Sequence, residues 1–128
     1  MQVLLDTNAF LWWVTDDPKL SKTARSIISN PENPIFFSVA SAWEIIIKYQ
    51  LGKLPLPEPA KVYIPNRVKH YGFIYLSIKM KDVLEISNLE NHHKDPFDRI
   101  LIAQAKVDNL SIITADKKFN LYDIDVIW

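Results

Sequence analysis

The 128-residue sequence has no cysteine and only two glycines, and its 15 Lys and Arg residues are matched by 15 Asp and Glu. Without cysteine there is no disulfide framework, no thiolate metal site and no cysteine nucleophile, a composition that suits the cytoplasm. Gly52 and Gly72 alone cannot supply the glycine-rich loops on which P-loop and Rossmann phosphate sites depend. Zero net charge excludes a histone-like, broadly basic binder, so any contact with nucleic acid must come from local patches. Long apolar runs are missing too. The longest early one, Ala9 to Val14, falls far short of the roughly 20 residues of a transmembrane helix. The start carries no basic segment and Asp6 interrupts its apolar stretch, which argues against a signal peptide.

What is present is core-forming material. A chain of this length with 48% hydrophobic and 12% aromatic residues fits one soluble domain spanning residues 1–128, not a disordered chain. Val3-Leu4-Leu5 reads as a strand that ends in a turn at Asp6-Thr7-Asn8. Ala9–Val14 opens a short helix, and Ser21–Ser29 a second with Ala24, Ile27 and Ile28 on one face. The turn at 30–34 leads to a strand at Ile35-Phe36-Phe37, then a helix capped by Ser38 or Ser41 that stops at Gly52. Residues 54–59 are an extended proline connector. A helix from about Ala60 to Tyr71 follows, its continuity put in question by Pro65. Then come a strand at 73–76, a short helix at 80–88, a polar loop at 90–94 and a helix from Pro96 to about Val107. A strand at 111–114, a helical turn at 116–119 and a strand at 125–128 complete the chain. No internal repeat or low-complexity tract interrupts this order. Short apolar strands alternating with helices predict an α/β domain on a mostly parallel sheet of about five strands.

In a parallel sheet, strand ends and the following helix starts share one edge, where open α/β sheets build their sites. Asp6 follows the first strand, Glu44 falls near the start of the helix after the second, Asp98 opens the 96–107 helix, and Asp116 follows the fourth strand. Each has a plainer role available. Glu44 fits a capping box with Ser41, Asp95 an N-cap with Asp98 as a first-turn acid, Asp116 a cap and Asp6 an Asx turn. Glu44, however, sits in Ala-Trp-Glu-Ile-Ile-Ile, where an ionised carboxylate needs compensation. Four clustered carboxylates repel one another unless a cation holds them, and oxygen ligands without cysteine suit Mg²⁺ or Mn²⁺. Such a site suits phosphodiester hydrolysis, because the metal reverses the local field toward an anionic backbone.

At this level the sequence resembles the PIN-domain nucleases, in particular the VapC-like toxins of toxin–antitoxin pairs. The resemblance rests on five blocks in order: 4–12 (Leu-Leu-Asp-Thr-Asn-Ala-Phe-Leu-Trp), 41–45 (Ser-Ala-Trp-Glu-Ile), 93–99 (His-Lys-Asp-Pro-Phe-Asp-Arg), 102–105 (Ile-Ala-Gln-Ala) and 114–116 (Thr-Ala-Asp). It implies a PIN-like α/β/α sandwich and a metal-dependent endoribonuclease that hydrolyses RNA with a metal-activated water. It also implies a homodimer restrained by a VapB-like antitoxin. The implied metal and catalytic residues are Asp6, Glu44, Asp98 and Asp116, with Mg²⁺ or Mn²⁺ as cofactor. Thr7 and Asn8 are candidates to orient Asp6 or a metal-bound water, Thr114 to support Asp116, and Arg99 to bind RNA phosphate. Lys94, Lys117 and Lys118 read as solvated surface near the rim. Adjacent His92 and His93 rarely face one ion, so they read as a polar loop at the site's edge instead of a zinc site. Trp12, Trp13 and Trp43 read as core or interface residues, not base-stacking partners. The alternatives are a haloacid-dehalogenase-like phosphatase with Asp6 as nucleophile, disfavoured by Asn8 where a second Asp belongs, and a catalytically inert α/β binding module.

Overall fold

The computed structural model describes all residues 1–128. Strands β1 (Val3–Leu5), β2 (Ile35–Ser38), β3 (Ile74–Leu76), β4 (Ser111–Ile113) and β5 (Val126–Ile127) form one sheet in the order β3-β2-β1-β4-β5. All four pairings are parallel. The helices are α1 (Thr7–Val14), α2 (Lys22–Ser29), α3 (Val39–Gln50), α4 (Ala60–Tyr71), α5 (Met80–Glu85) and α6 (Pro96–Asp108). Short 3₁₀ turns lie at Ile86–Asn88 and Lys117–Leu121.

Strand alternation divides the core into two layers. Val3, Leu5, Ile35, Phe37 and Ile113 project to one side, packing with Phe10 of α1, Ala24 and Ile28 of α2, Ile45 of α3, and Tyr63, Ile64 and Val68 of α4. Leu4 and Ile112 project to the other, against Ile100, Leu101 and Ile102 of α6 and Phe119. Because both faces are covered, the strands read as continuous apolar runs and not as alternating ones. The expected α/β/α sandwich is the observed one.

Two local expectations are revised. α1 begins at Thr7, not Ala9, because Asp6 caps the helix and does not close a free turn. α4 runs unbroken through Pro65. Pro65 forfeits one backbone hydrogen bond there. The burial of Ala60, Ile64 and Val68 at i, i+4 spacing, with Tyr63 beside them, holds the helix against the first core layer. It ends at Gly72, whose φ of 69° supplies the left-handed cap.

β1 is central, and the chain works outward through β2 and β3 before crossing back to β4 and β5. The strand order therefore reverses between β1 and β4, and the crevice at their carboxyl ends is where such sheets bind ligands.

Candidate active site

Asp6 leaves β1 at that crevice. Its backbone N–H donates to the Ile113 carbonyl of β4 at 3.1 Å, and its carboxylate accepts from the Ala9 N–H at 2.7 Å. Across the crevice, the Thr114 hydroxyl oxygen accepts from the Asp116 N–H at 3.0 Å. The Asp6 carboxylate also faces the Thr114 side chain, which opposes the rise of its pKa, so one buried threonine neighbours both acids. Asp116 in turn caps the 3₁₀ turn after β4 by accepting from the Lys118 N–H at 2.9 Å.

Glu44 comes from α3. Ser38 caps that helix by accepting from the Ala40 N–H at 3.0 Å, which places Glu44 in the second turn and overturns the capping-box expectation. The Glu44 carboxylate is buried instead at the rim, where two side chains compensate it. The Thr7 hydroxyl donates to Oε1 at 2.6 Å, and the Ser41 hydroxyl lies 3.0 Å from Thr7. Lys48, one turn further along, bonds Oε2 at 2.8 Å. Thr7 therefore orients Glu44, whereas Asp6 or a metal-bound water was its expected partner. Asn8 is exposed in the first turn of α1.

Asp98 lies in the first turn of α6, where Asp95 is the N-cap and accepts from the Phe97 and Asp98 N–H groups at 2.9 and 3.2 Å. Beside it runs a polar relay that the sequence reading missed. The Arg99 guanidinium donates to the Tyr122 hydroxyl at 3.3 Å, and that hydroxyl lies 2.8 Å from His93 Nδ1. Arg99 can only donate, so the Tyr122 oxygen accepts from it and passes its own proton to Nδ1. The His93 proton is then on Nε2, 3.4 Å from Asp98 Oδ2 and with no better-aligned acceptor. Burial lowers the His93 pKa, which keeps the ring neutral. Arg99 also donates to the Glu90 carbonyl at 2.9 Å and faces those of His93 and Ile86 at 3.5 and 3.4 Å. These bonds fix the 86–93 segment, so Arg99 acts as a loop clamp, and the phosphate contact expected of it is left to its remaining donors. His92 turns away toward Glu90, 3.2 Å distant, so the two histidines do not share a ligand.

The electrostatics follow from this convergence. Burial raises the Asp6 pKa from 3.8 to about 6; the Thr114 and Ala9 hydrogen bonds oppose that, and the Glu44 and Asp116 charges add to it. Asp98 is pushed from 3.8 to about 7, first by burial and then by the charges of Asp95, Glu44, Asp6 and Asp116. Asp98 thus feels the charges of the other three expected acids, and Asp6 those of Glu44 and Asp116. No three acidic or histidine side chains are drawn together as a preformed metal cage, because each carboxylate is held by its own local donor or neighbour. The donor set is nevertheless all hard oxygen, with Lys48 the one cationic side chain bonded to any of these four acids. Such a set fits a divalent cation that the carboxylates close upon.

A family model for the PIN domain matches residues 3–125. Ribonuclease VapC16 of Mycobacterium tuberculosis is 46% identical over 65 residues, covering 48% of this chain and 46% of that protein. The matched stretch thus spans about half the length of that relative. VapBC from Salmonella typhimurium, solved bound to DNA, superposes with a TM-score of 0.75 at 16% identity, over 99% of this chain and 97% of that one. VapBC2 from Rickettsia felis, bound to a promoter DNA fragment, gives 0.73 at 15% identity over 99% and 98%. At these identities the superpositions speak to fold alone.

Proposed function

Since the chain belongs to the PIN-domain family, we propose that it is a metal-dependent endoribonuclease of the VapC type, the toxin of a toxin–antitoxin pair acting in the cytoplasm. One observation carries the reading: four carboxylates from distant segments converge on the β1–β4 crevice, where burial first and then mutual repulsion push Asp6 and Asp98 toward neutrality. A structural protein gains nothing from that repulsion, whereas a cation-binding site needs it relieved only when loaded. The partial identity to a VapC ribonuclease supports RNA as the substrate.

Asp6, Glu44, Asp98 and Asp116 are the residues that would hold Mg²⁺ or Mn²⁺. The ion would lower the pKa of water and offset negative charge on the scissile phosphate. The chain's own groups supply order. Thr7 and Lys48 fix the two Glu44 oxygens, Thr114 neighbours both Asp6 and Asp116, and His93 faces Asp98 with an N–H. The similar folds seen in VapBC complexes support an antitoxin partner. Exposed apolar residues gathered on β3 and α5 (Ile74, Tyr75, Met80, Val83 and Leu84) support a homodimer contact at that end of the sheet. No helix is long and apolar enough to cross a membrane. The phosphatase alternative finds no second acid two residues after Asp6.

The test is cleavage of structured RNA by antitoxin-free protein in Mg²⁺, Mn²⁺ or EDTA, beside Asp6→Asn and Asp98→Asn, with folding checked by circular dichroism. Cleavage should need the metal and fall at least a hundredfold in both folded variants, roughly the scale of losing transition-state charge stabilisation. Cleavage that survives EDTA and both substitutions would sink the mechanism. Folded protein that neither cuts RNA nor binds Mn²⁺ would leave the inert module.

A further inference from the structure

Beside the acid rim lies a groove of about 430 Å³ between α3 and the first turn of α6. It is lined by Ile47, Pro96 and Phe97, by Lys48 and Lys94, and by two acids, Glu44 and Asp95. Trp43, next to Glu44 on α3, sets its ring 5.2 Å from that of Phe97 at 84°. Trp12 packs on Trp128 and Trp13 on Tyr71, both half-buried, whereas Trp43 is 59% exposed and is the most exposed tryptophan of the chain. The Phe97 contact restrains the indole yet leaves it open to solvent.

We propose that this groove is a nucleotide subsite for single-stranded RNA, with Trp43 and Phe97 receiving a base next to the scissile bond and Lys48 and Lys94 receiving its phosphates. The assignment rests on the nuclease reading, and three features select the occupant. A rigid aromatic pair matches the π-face of any base, and two ammonium groups match the flanking phosphates. Glu44, one of the four acids, also lines the groove, so the groove and the acid rim share a residue. Lys48 is half exposed while bonded to Glu44, so an incoming phosphate can reach its ammonium group from the solvent side. A protein partner has a separate apolar surface on β3 and α5, whereas Trp43 stands beside a groove carrying Lys48 and Lys94 together with Glu44 and Asp95, the latter already engaged as the α6 N-cap. At 59% exposed Trp43 is not the core residue that was one of the two expectations for it.

The test measures fluorescence anisotropy of an end-labelled ten-nucleotide single-stranded RNA on Asp6→Asn protein in Mg²⁺, where binding is read without cleavage. Adding Trp43→Ala should weaken binding about tenfold, the scale of one lost base stack, and Trp43→Phe should restore most of it. Adding Lys94→Gln should reduce the salt dependence of log K by about 0.7, one phosphate contact on a single strand. In parallel, Trp43→Ala and native protein are compared for metal-dependent cleavage and for mass by light scattering. Unchanged RNA affinity in Trp43→Ala overturns the subsite, as does an altered oligomeric state without loss of RNA affinity. If the native protein cleaves RNA and Trp43→Ala cleaves it equally, the subsite falls and the nuclease stands. Trp43-dependent binding without any cleavage by the native protein would do the reverse. No binding by the Asp6→Asn protein overturns the subsite.

Discussion

Asp98 shows how the site is tuned one side chain at a time. Its folded pKa is raised, so between about pH 4 and pH 7 the folded chain holds a proton that the unfolded chain has released. Metal-free stability contributed by this group is therefore greatest at acid pH and is lost as pH rises through that window. Asp98→Asn in EDTA should stabilise the protein at pH 8 by about 1–2 kcal/mol, once the partial exposure of the side chain is discounted, and by less at pH 5. Adding Mg²⁺ should reverse the order, because the native carboxylate gains a ligand that the variant binds poorly. Thermal melts at the two pH values, with and without the ion, check both signs. A stability difference between variant and native protein that is the same at both pH values would mean that neither burial nor the neighbouring charges raise the Asp98 pKa. Much of this site was legible in the sequence, since all four acids could be placed from strand ends and helix starts alone. Their supports were less so. The Thr7–Glu44 and Tyr122–His93 contacts join residues 37 and 29 positions apart, which no local pattern encodes. Lys48 is the exception: its i, i+4 spacing from Glu44 was available on the page and is the signal for that pair.

Among the elements, α4 is where local rules and packing disagree. Proline in a helix interior predicts a break, and the helix continues because its buried stripe is worth more than the missing hydrogen bond. Pro65→Ala restores the N–H that can reach the Lys61 carbonyl and relieves the ring's crowding, at the expense of a more flexible unfolded chain. The substitution should raise stability by about 1 kcal/mol or more, read as a higher urea midpoint at unchanged slope. A lower midpoint would mean that the proline is accommodated without strain. The α1 boundary was misread for a different reason. A helix cap and an Asx turn use the same side-chain-to-backbone bond, so Asp6-Thr7-Asn8 looks alike in both, and only the following Phe10 packing on Phe37 at 4.2 Å decides for helix.

At the scale of the whole molecule, sheet order does most to assemble the site. Strand count and parallel pairing were readable from apolar runs separated by helices, but the β3-β2-β1-β4-β5 order was not, since no short-range signal says on which side of β1 the chain returns. That return is what sets Asp116 opposite Asp6. It also leaves β3 as an edge strand with apolar residues outward, and edges of this kind are covered in stable proteins. Val83→Glu together with Leu84→Glu should convert a dimer to monomers in light scattering while leaving circular dichroism unchanged. A native protein that is monomeric at the same concentration would refute the dimer.

Two of the rim acids also finish the backbone: Asp6 closes the start of α1 and Asp116 the start of the turn after β4. This double duty constrains how the lineage can decay. A gene copy freed from selection for activity is still under selection to fold, and at a cap position most replacements cost about 1 kcal/mol while Asn, Ser and Thr cost little. Inert descendants should therefore keep a short hydrogen-bonding residue at positions 6 and 116 long after Glu44 and Asp98 have drifted, so that a dead copy retains half the outline of a live one.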